Sequence, residues 1–471
     1  MGLDDKMGDK NMKQIFYRHI DKYHPVNWML KCVELERTRE NFIHTSQLYI
    51  NSSSEFLQIL ADIAIRRSQN STIKGRLPTD KEFLDFISLY INTQGQCQAE
   101  LIEKYSLAGL SLITYEQIKF KYPEPHLVAR SFIVYTNYDP DIKQMTGLTL
   151  FEIIQIYVAL VALSLYSNSK VYVFKIENIS IPEHPVLNRA KLTPFLDFFS
   201  MTIKEYRSEL RDLGLDKHQL YSFRLLELYP IIRFDNEMYI IPIFRTFLQT
   251  VTTGIYFHLL NYFGEDSSSK AKAYLDNMGD IFEDYVRVLT SQVFDNMIEA
   301  KDIVGDGNHA EFAIEVDDTV IVVEVKKATF KRDTAFKSNF DDIDKMIDNH
   351  LLKAYKQIEN TFNYIEKNKI GIIVTFGDIN VPSGIKEYMR KKYPNSGVAF
   401  HDDIIMMSIG SYEMLLSNTA EQIAEILKRY LKNDEVHRGD IIQNIEISEY
   451  KLNPFLEEIY HEKLPEYEEG K

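Results

Sequence analysis

The sequence predicts an α/β protein: an α/β module toward the C-terminus, preceded by a mostly α-helical half. Three observations predict it. First, the run 311–326 reads as two strands joined by a tight turn. Phe312, Ile314 and Val316 alternate with Glu311, Ala313 and Glu315, Asp317 and Asp318 turn the chain, and 319–323 is β-branched and almost wholly apolar. Second, 369–376 is mostly apolar, as a strand buried on both faces should be, and a helical stretch, 343–366, lies between it and the hairpin. Third, the residues up to 264 carry mainly segments of helical period, with strand patterns only near 170–175 and 231–242.

Taken in order, Trp28, Met29, Leu30, Val33 and Leu35 have helical spacing, and 54–67 is an amphipathic helix with Ser54 as its cap. Thr79-Asp-Lys-Glu82 is a capping box that opens a helix over 83–91. This helical pair lacks the short turn and basic recognition face of a helix-turn-helix, so it reads as packing. An apolar segment at 127–135 precedes a core helix from Leu148 to Tyr166, then a strand at 170–175. A helix over 194–213 is expected to start at Pro194 and stop at Gly214. A hairpin about Asp235-Asn236 follows, then one long helix, 244–263, ending at Gly264. His19, His24, His44, His126 and His184 lack metal-ligand spacing.

The Gly264-Glu-Asp-Ser-Ser-Ser-Lys270 segment is the expected linker, which divides the chain into a domain at 1–264, a second at 271–432 and an acidic tail at 433–471. A helix over 274–298 places Phe282, Tyr285, Val286 and Leu289 on one face, with Glu283 at its border. Residues 327–340 interleave Lys327, Lys331, Arg332 and Lys337 with Phe330, Phe336 and Phe340, a composition suited to nucleic-acid backbone as well as to a solvated loop. The helix over 343–366 carries Gln357. A last strand is expected at 404–409 and a last amphipathic helix at 419–431.

The hairpin's second strand ends in an acid and a base, Glu324 and Lys326, two residues apart and hence on one face. Burying such charges is costly without partners. The order of a helix with Glu283, the strand acid Glu311, Glu324-Val-Lys326, a helix with Gln357 and an apolar strand resembles the PD-(D/E)xK nuclease superfamily. The resemblance spans about residues 271–430. It implies a restriction-endonuclease-like mixed sheet flanked by helices and a Mg²⁺- or Mn²⁺-dependent endonuclease. By the same resemblance the metal ligands are Glu311, Glu324 and the Val325 carbonyl. Lys326 serves the attacking water, Glu283 a second metal or the lysine, and Gln357 a phosphate or the lysine. The family's first strand acid is usually Asp; here it is Glu311, and Asp306 on the Gly305–Gly307 turn is the alternative first ligand. DNA is the implied substrate, with RNA open, and an antiphage defence or restriction effector the implied setting. A homo-oligomer or a partner defence protein would accompany it. A degenerate fold that only binds or assembles, and a structure-specific repair nuclease, are the alternatives.

Bulk properties fit this reading. At 471 residues, 45% hydrophobic and 26% charged, two globular domains are expected. The net charge of -15 argues against a protein that coats nucleic acid, and leaves local phosphate handling to metal ions and basic segments. Cys32 and Cys97 exclude a disulfide framework or a Cys-based zinc site, and the polar start suggests no signal peptide, so a cytoplasmic location is expected. The apolar stretch 148–166 contains Glu152 and Gln155 and reads as a core helix rather than a membrane span. No Walker-type phosphate loop is present.

Overall fold

A computed structural model describes residues 14–38, 54–72, 76–105, 123–166, 172–212, 225–234, 238–327, 344–377, 382–433, 440–446 and 451–464. The protein is mixed α/β and forms two units. One comprises residues 1–99 and 135–262, the other residues 100–134 and 263–471.

The first unit is largely helical around a small sheet of β1 (Val173–Lys175), β2 (Ser200–Thr202), β3 (Ile231–Phe234) and β4 (Met238–Ile240), in the order β1-β4-β3-β2. The Thr79–Glu82 capping box forms, with Glu82 N–H donating to the Thr79 hydroxyl at 3.3 Å and Glu82 Oε2 accepting from Thr79 N–H at 2.9 Å. Two expected helices are divided differently. Asn188 caps a helix over Arg189–Phe199, which places Pro194 inside it, and β2 separates this helix from the next, Ile203–Asp212. The long helix expected over 244–263 breaks at 252–254, between Phe244–Val251 and Ile255–Asp266. There the backbone folds so tightly that a Cβ on Gly254 would lie 2.5 Å from the Thr250 carbonyl oxygen.

The second unit holds a five-stranded sheet of β5 (Met297–Glu299), β6 (Phe312–Val316), β7 (Thr319–Lys326), β8 (Asn368–Thr375) and β9 (Ile404–Ser408), in that order. The first three strands pair antiparallel and β7, β8 and β9 pair parallel. The hairpin turns on Asp317 and Asp318, with Val316 opposite Thr319 and Asp317 at φ 54°, a conformation that Asp tolerates better than most side chains. The parallel step from β7 to β8 includes a helix, described from Asp344, that passes through a π turn at Ile347–Leu351 and continues as Leu352–Phe362. This helix lays Ala354, Tyr355 and Ile358 on the sheet with Val320, Val322 and Ala313 in one buried cluster. Its approach requires Gly371 on β8, where a Cβ would come within 2.7 Å of Ile358 Cγ2. Helix α2, after an earlier helix α1 (Glu124–Tyr135), runs over Ser268–Ser291 and buries Phe282, Tyr285, Val286 and Leu289.

The expected linker at Gly264 is instead helical through Asp266. The break falls at Ser267, whose hydroxyl accepts the Lys270 N–H and so caps α2. Residues 100–134, assigned from the sequence to the first domain, group with the second unit. The buried Glu413 shows why: its Oε1 accepts from the Tyr285 hydroxyl at 2.7 Å and stands 3.4 Å from the Arg130 guanidinium on α1. On the same helix, burial holds His126 neutral, pushing it down to about 3, and its Nε2 accepts the Asn453 N–H at 2.8 Å. That bond and those from the Asn453 amide to Glu413 O and Leu416 O also dock part of the expected tail, including the helix Pro454–Lys463.

Candidate active site

The β6–β7 register decides which side chains meet. Phe312 lies opposite Val323, and Glu311, on the bend just before β6, donates its N–H to Val323 O at 3.1 Å, which brings it to the end of the hairpin. Alternation along β7 puts Glu324 and Lys326 on the sheet face that carries Val320 and Val322, and the Glu311 carboxyl comes near enough to Glu324 to raise its proton affinity. The Lys326 ammonium donates to Glu324 Oε1. Glu324 is fully buried, and its Oε2 has no hydrogen-bond partner among the described residues. A buried carboxylate oxygen without a donor is a costly arrangement.

Glu283 enters from α2. Its Oε1 accepts from Arg287 one helical turn on, at 2.9–3.0 Å, and its carboxyl hydrogen-bonds that of Glu311. Arg287 braces the corner: it pairs with Glu299 on β5 at 2.7 Å and lies over the Phe312 ring at 5.1 Å. Three carboxyl groups and one ammonium therefore converge. Burial pushes the Glu324 carboxyl up to about 8; Lys326 opposes the shift, and Glu311 adds to it. Burial first and Glu283 second raise the Glu311 carboxyl as well, against Lys326 and Arg287. At neutral pH Glu324 holds a proton that an ordinary carboxylate would have lost.

The remaining sequence-derived residues are placed as follows. The Gln357 amide donates to His309 O at 2.8 Å, two residues before Glu311, and no described contact joins it to Glu324 or Lys326. Asp306 is exposed on the bend after Gly305, and of the two candidate first ligands Glu311 is the one whose charge acts on Glu324. Lys327 is half-buried and donates to Leu275 O on α2, turned inward rather than toward solvent. Lys331, Arg332 and Lys337 lie outside the described residues. The sequence missed Arg287, although its i,i+4 spacing from Glu283 was readable.

Among the described residues no group of three or more His, Cys, Asp or Glu side chains stands in metal-holding geometry. The donor chemistry nevertheless suits a hard divalent cation in one respect. Glu311 and Glu324 offer oxygen ligands side by side, and the unsatisfied Glu324 Oε2 is the atom such an ion would relieve. No family profile, curated protein or solved structure matches this chain. Among the described residues no single helix is long and apolar enough to cross a membrane.

Proposed function

We propose that the second unit is a metal-dependent nuclease of the PD-(D/E)xK kind, with a restriction-endonuclease-like fold, that hydrolyses phosphodiester bonds in DNA as a restriction or antiphage effector. The observation that carries this reading is the convergence of the Glu311 and Glu324 carboxyls, with Lys326 bonded to Glu324 and Glu283 against Glu311. The order of helix, hairpin, helix and parallel strand supports it, since the resemblance drawn from the sequence implies that succession.

A divalent cation held by Glu311, Glu324 and the Val325 carbonyl would supply positive charge beside the scissile phosphate. The protein's own groups do the rest. Glu324 holds the Lys326 Nζ in place, and the ammonium donates a hydrogen bond to the attacking water or to a phosphoryl oxygen. Water adds to phosphorus, the bond to the leaving oxygen breaks, and a proton returns to that oxygen. Glu283, against the Glu311 carboxyl, holds that side chain in place beside the phosphate. Arg287 keeps Glu283 turned toward the sheet.

The test is incubation of supercoiled plasmid, single-stranded DNA and RNA with Mg²⁺ or Mn²⁺, comparing wild type with Lys326→Ala. Cleavage by wild type that disappears in the variant supports the enzyme. A second reading, a silent fold that only binds or assembles, is favoured by the full burial of Glu324 and its closed pair with Lys326. It is the outcome if neither protein cleaves and both retain nucleic-acid binding.

A further inference from the structure

The first unit contains a cavity of about 1120 Å³. Among the described residues, six of the lining side chains are cationic (Arg66, Arg67, Lys204, Arg207, Arg211 and Arg233), and Asp21 is the single acidic one. In a chain of net charge -15 such a concentration of positive charge runs against the composition. Like charges gathered in a concave space repel one another, and low-dielectric walls strengthen the effect. An anion would relieve it.

The cations are held in different ways, and the differences matter. Arg66 is anchored to the buried Asp62 at 2.7 Å, an acid that also accepts from the buried Tyr206 hydroxyl. Arg207 donates to Ile65 O at 2.7 Å and to Ser68 O at 2.5 Å, at the C-terminal end of the helix Ser54–Arg67. Arg67 lies 5.1 Å above the Tyr17 ring. These three guanidinium groups are pre-positioned, so a ligand meeting them loses little side-chain entropy. Among the described residues Arg233 has only long ion pairs, 3.8 Å to Asp197 and 3.5 Å to Glu205, both carboxylates largely exposed. Lys204 and Arg211 are exposed and have no hydrogen-bond or ion-pair partner among the described residues. One half of the cavity is thus a fixed cationic frame, and the other half offers cations whose donors remain available.

Arginine forks match the oxygens of phosphoryl groups, and the aromatic walls Tyr17 and Phe234 suit a flat ring. The space is at the upper end of small-ligand sites and larger than one phosphate ion requires. We infer that this cavity is a binding site for a small ligand carrying two or more phosphoryl groups, of the nucleotide class. It is independent of the acidic cluster in the other unit and of the nuclease reading. The same phosphoryl chemistry could be presented by a nucleic-acid strand, and the experiment separates the two sources.

Full-length protein in EDTA, which leaves any divalent-cation chemistry silent, is titrated calorimetrically with pyrophosphate, with adenosine triphosphate and with a 15-nucleotide single-stranded DNA. Thermal melts with each probe accompany the titrations. The expected result is one-to-one binding of the nucleotide with a raised melting temperature, and binding weakened at least tenfold in Lys204→Glu/Arg211→Glu. Both positions are exposed, so an unchanged circular dichroism spectrum and unliganded melting temperature establish that the variant folds. Lys326→Ala should bind the nucleotide as wild type does. Failure of wild type to bind either polyphosphate overturns the inference, as does equal binding by the charge-reversed variant. Binding of the strand alone overturns the small-ligand assignment.

Discussion

In the second unit, three carboxyl groups and a lysine meet on one hairpin and the helix beside it; in the first, six cations line a cavity formed by segments distant in the chain. The acidic cluster is compact, and its buried Glu324 retains a proton at neutral pH. The cationic cavity is open enough to leave Lys204 and Arg211 exposed. The first keeps a buried carboxyl protonated with one oxygen unsatisfied among the described residues, and the second gathers cations that the described carboxylates do not all neutralise. A site kept for stability alone would satisfy such groups, so each region points outward, to a cation in one and to an anion in the other.

The largest expected effect breaks the acidic side of this contrast. Glu311→Ala should reduce cleavage by about a thousandfold, the scale of losing one precisely placed charged group in a phosphoryl-transfer site. The same change should raise the melting temperature at pH 8, because it removes the like charge that faces Glu324. Activity falling while stability rises is the signature of a strained functional cluster. A Glu311 that served only to hold the sheet together would lose both.

Next in size is the dependence of stability on pH. Glu324 titrates at about 8 when folded, against an ordinary value of 4.5. Between those values the folded chain binds a proton that the unfolded chain has released, so stability should decline as pH rises from about 4.5 to about 8 and level off above. Each tenfold difference in proton affinity between the folded and unfolded chain corresponds to about 1.4 kcal/mol. Melting curves across this range should slope downward for wild type and flatten in Glu324→Gln. Millimolar Mg²⁺ should raise the wild-type melting temperature more at pH 8 than at pH 5.5, since the protonated carboxyl at low pH is a poor ligand. An equal shift at both values would remove Glu324 from the ligand set.

The contrast also explains what the sequence revealed. Glu311, Glu324 and Lys326 sit within sixteen residues, and the Asp317-Asp318 turn sets their register, so period-two alternation already placed them on one face. Glu283 reached the cluster through a helix whose apolar spacing was equally readable. The cavity was invisible because Arg66, Lys204 and Arg233 belong to segments whose proximity depends on long-range packing, and the net charge concealed them further. Strands of three residues, β2 and β5, carry too little pattern to register at all. The allegiance of residues 100–134 rests on partners such as Glu413 and Asn453, more than 280 residues downstream. Ser267 overrode Gly264 because a satisfied helix cap outweighs the modest cost of a glycine inside a helix.

A smaller effect sharpens the cationic side. Nucleotide affinity in the first unit should weaken as salt rises from 50 to 300 mM in titrations with adenosine triphosphate, because screening acts on exposed cations such as Lys204 and Arg211. The three anchored arginines are shielded from it, so a residual, salt-resistant component should persist in wild type and remain in Lys204→Glu/Arg211→Glu.

The smallest expected effect is a null with consequences. Asp306→Ala should leave cleavage within about twofold of wild type, the scale of a surface change that touches no reacting group. Asp306 is exposed on the bend after Gly305, whereas Glu311 immediately precedes β6 and is tied to β7 by its N–H bond to Val323 O. A loss of cleavage in Asp306→Ala comparable with that in Glu311→Ala would move the first ligand from the hairpin to the Gly305–Gly307 turn. It would also erase the contrast between the two regions, since the acidic cluster would then owe its geometry to a loop, as the cationic cavity does in part, and not to the hairpin.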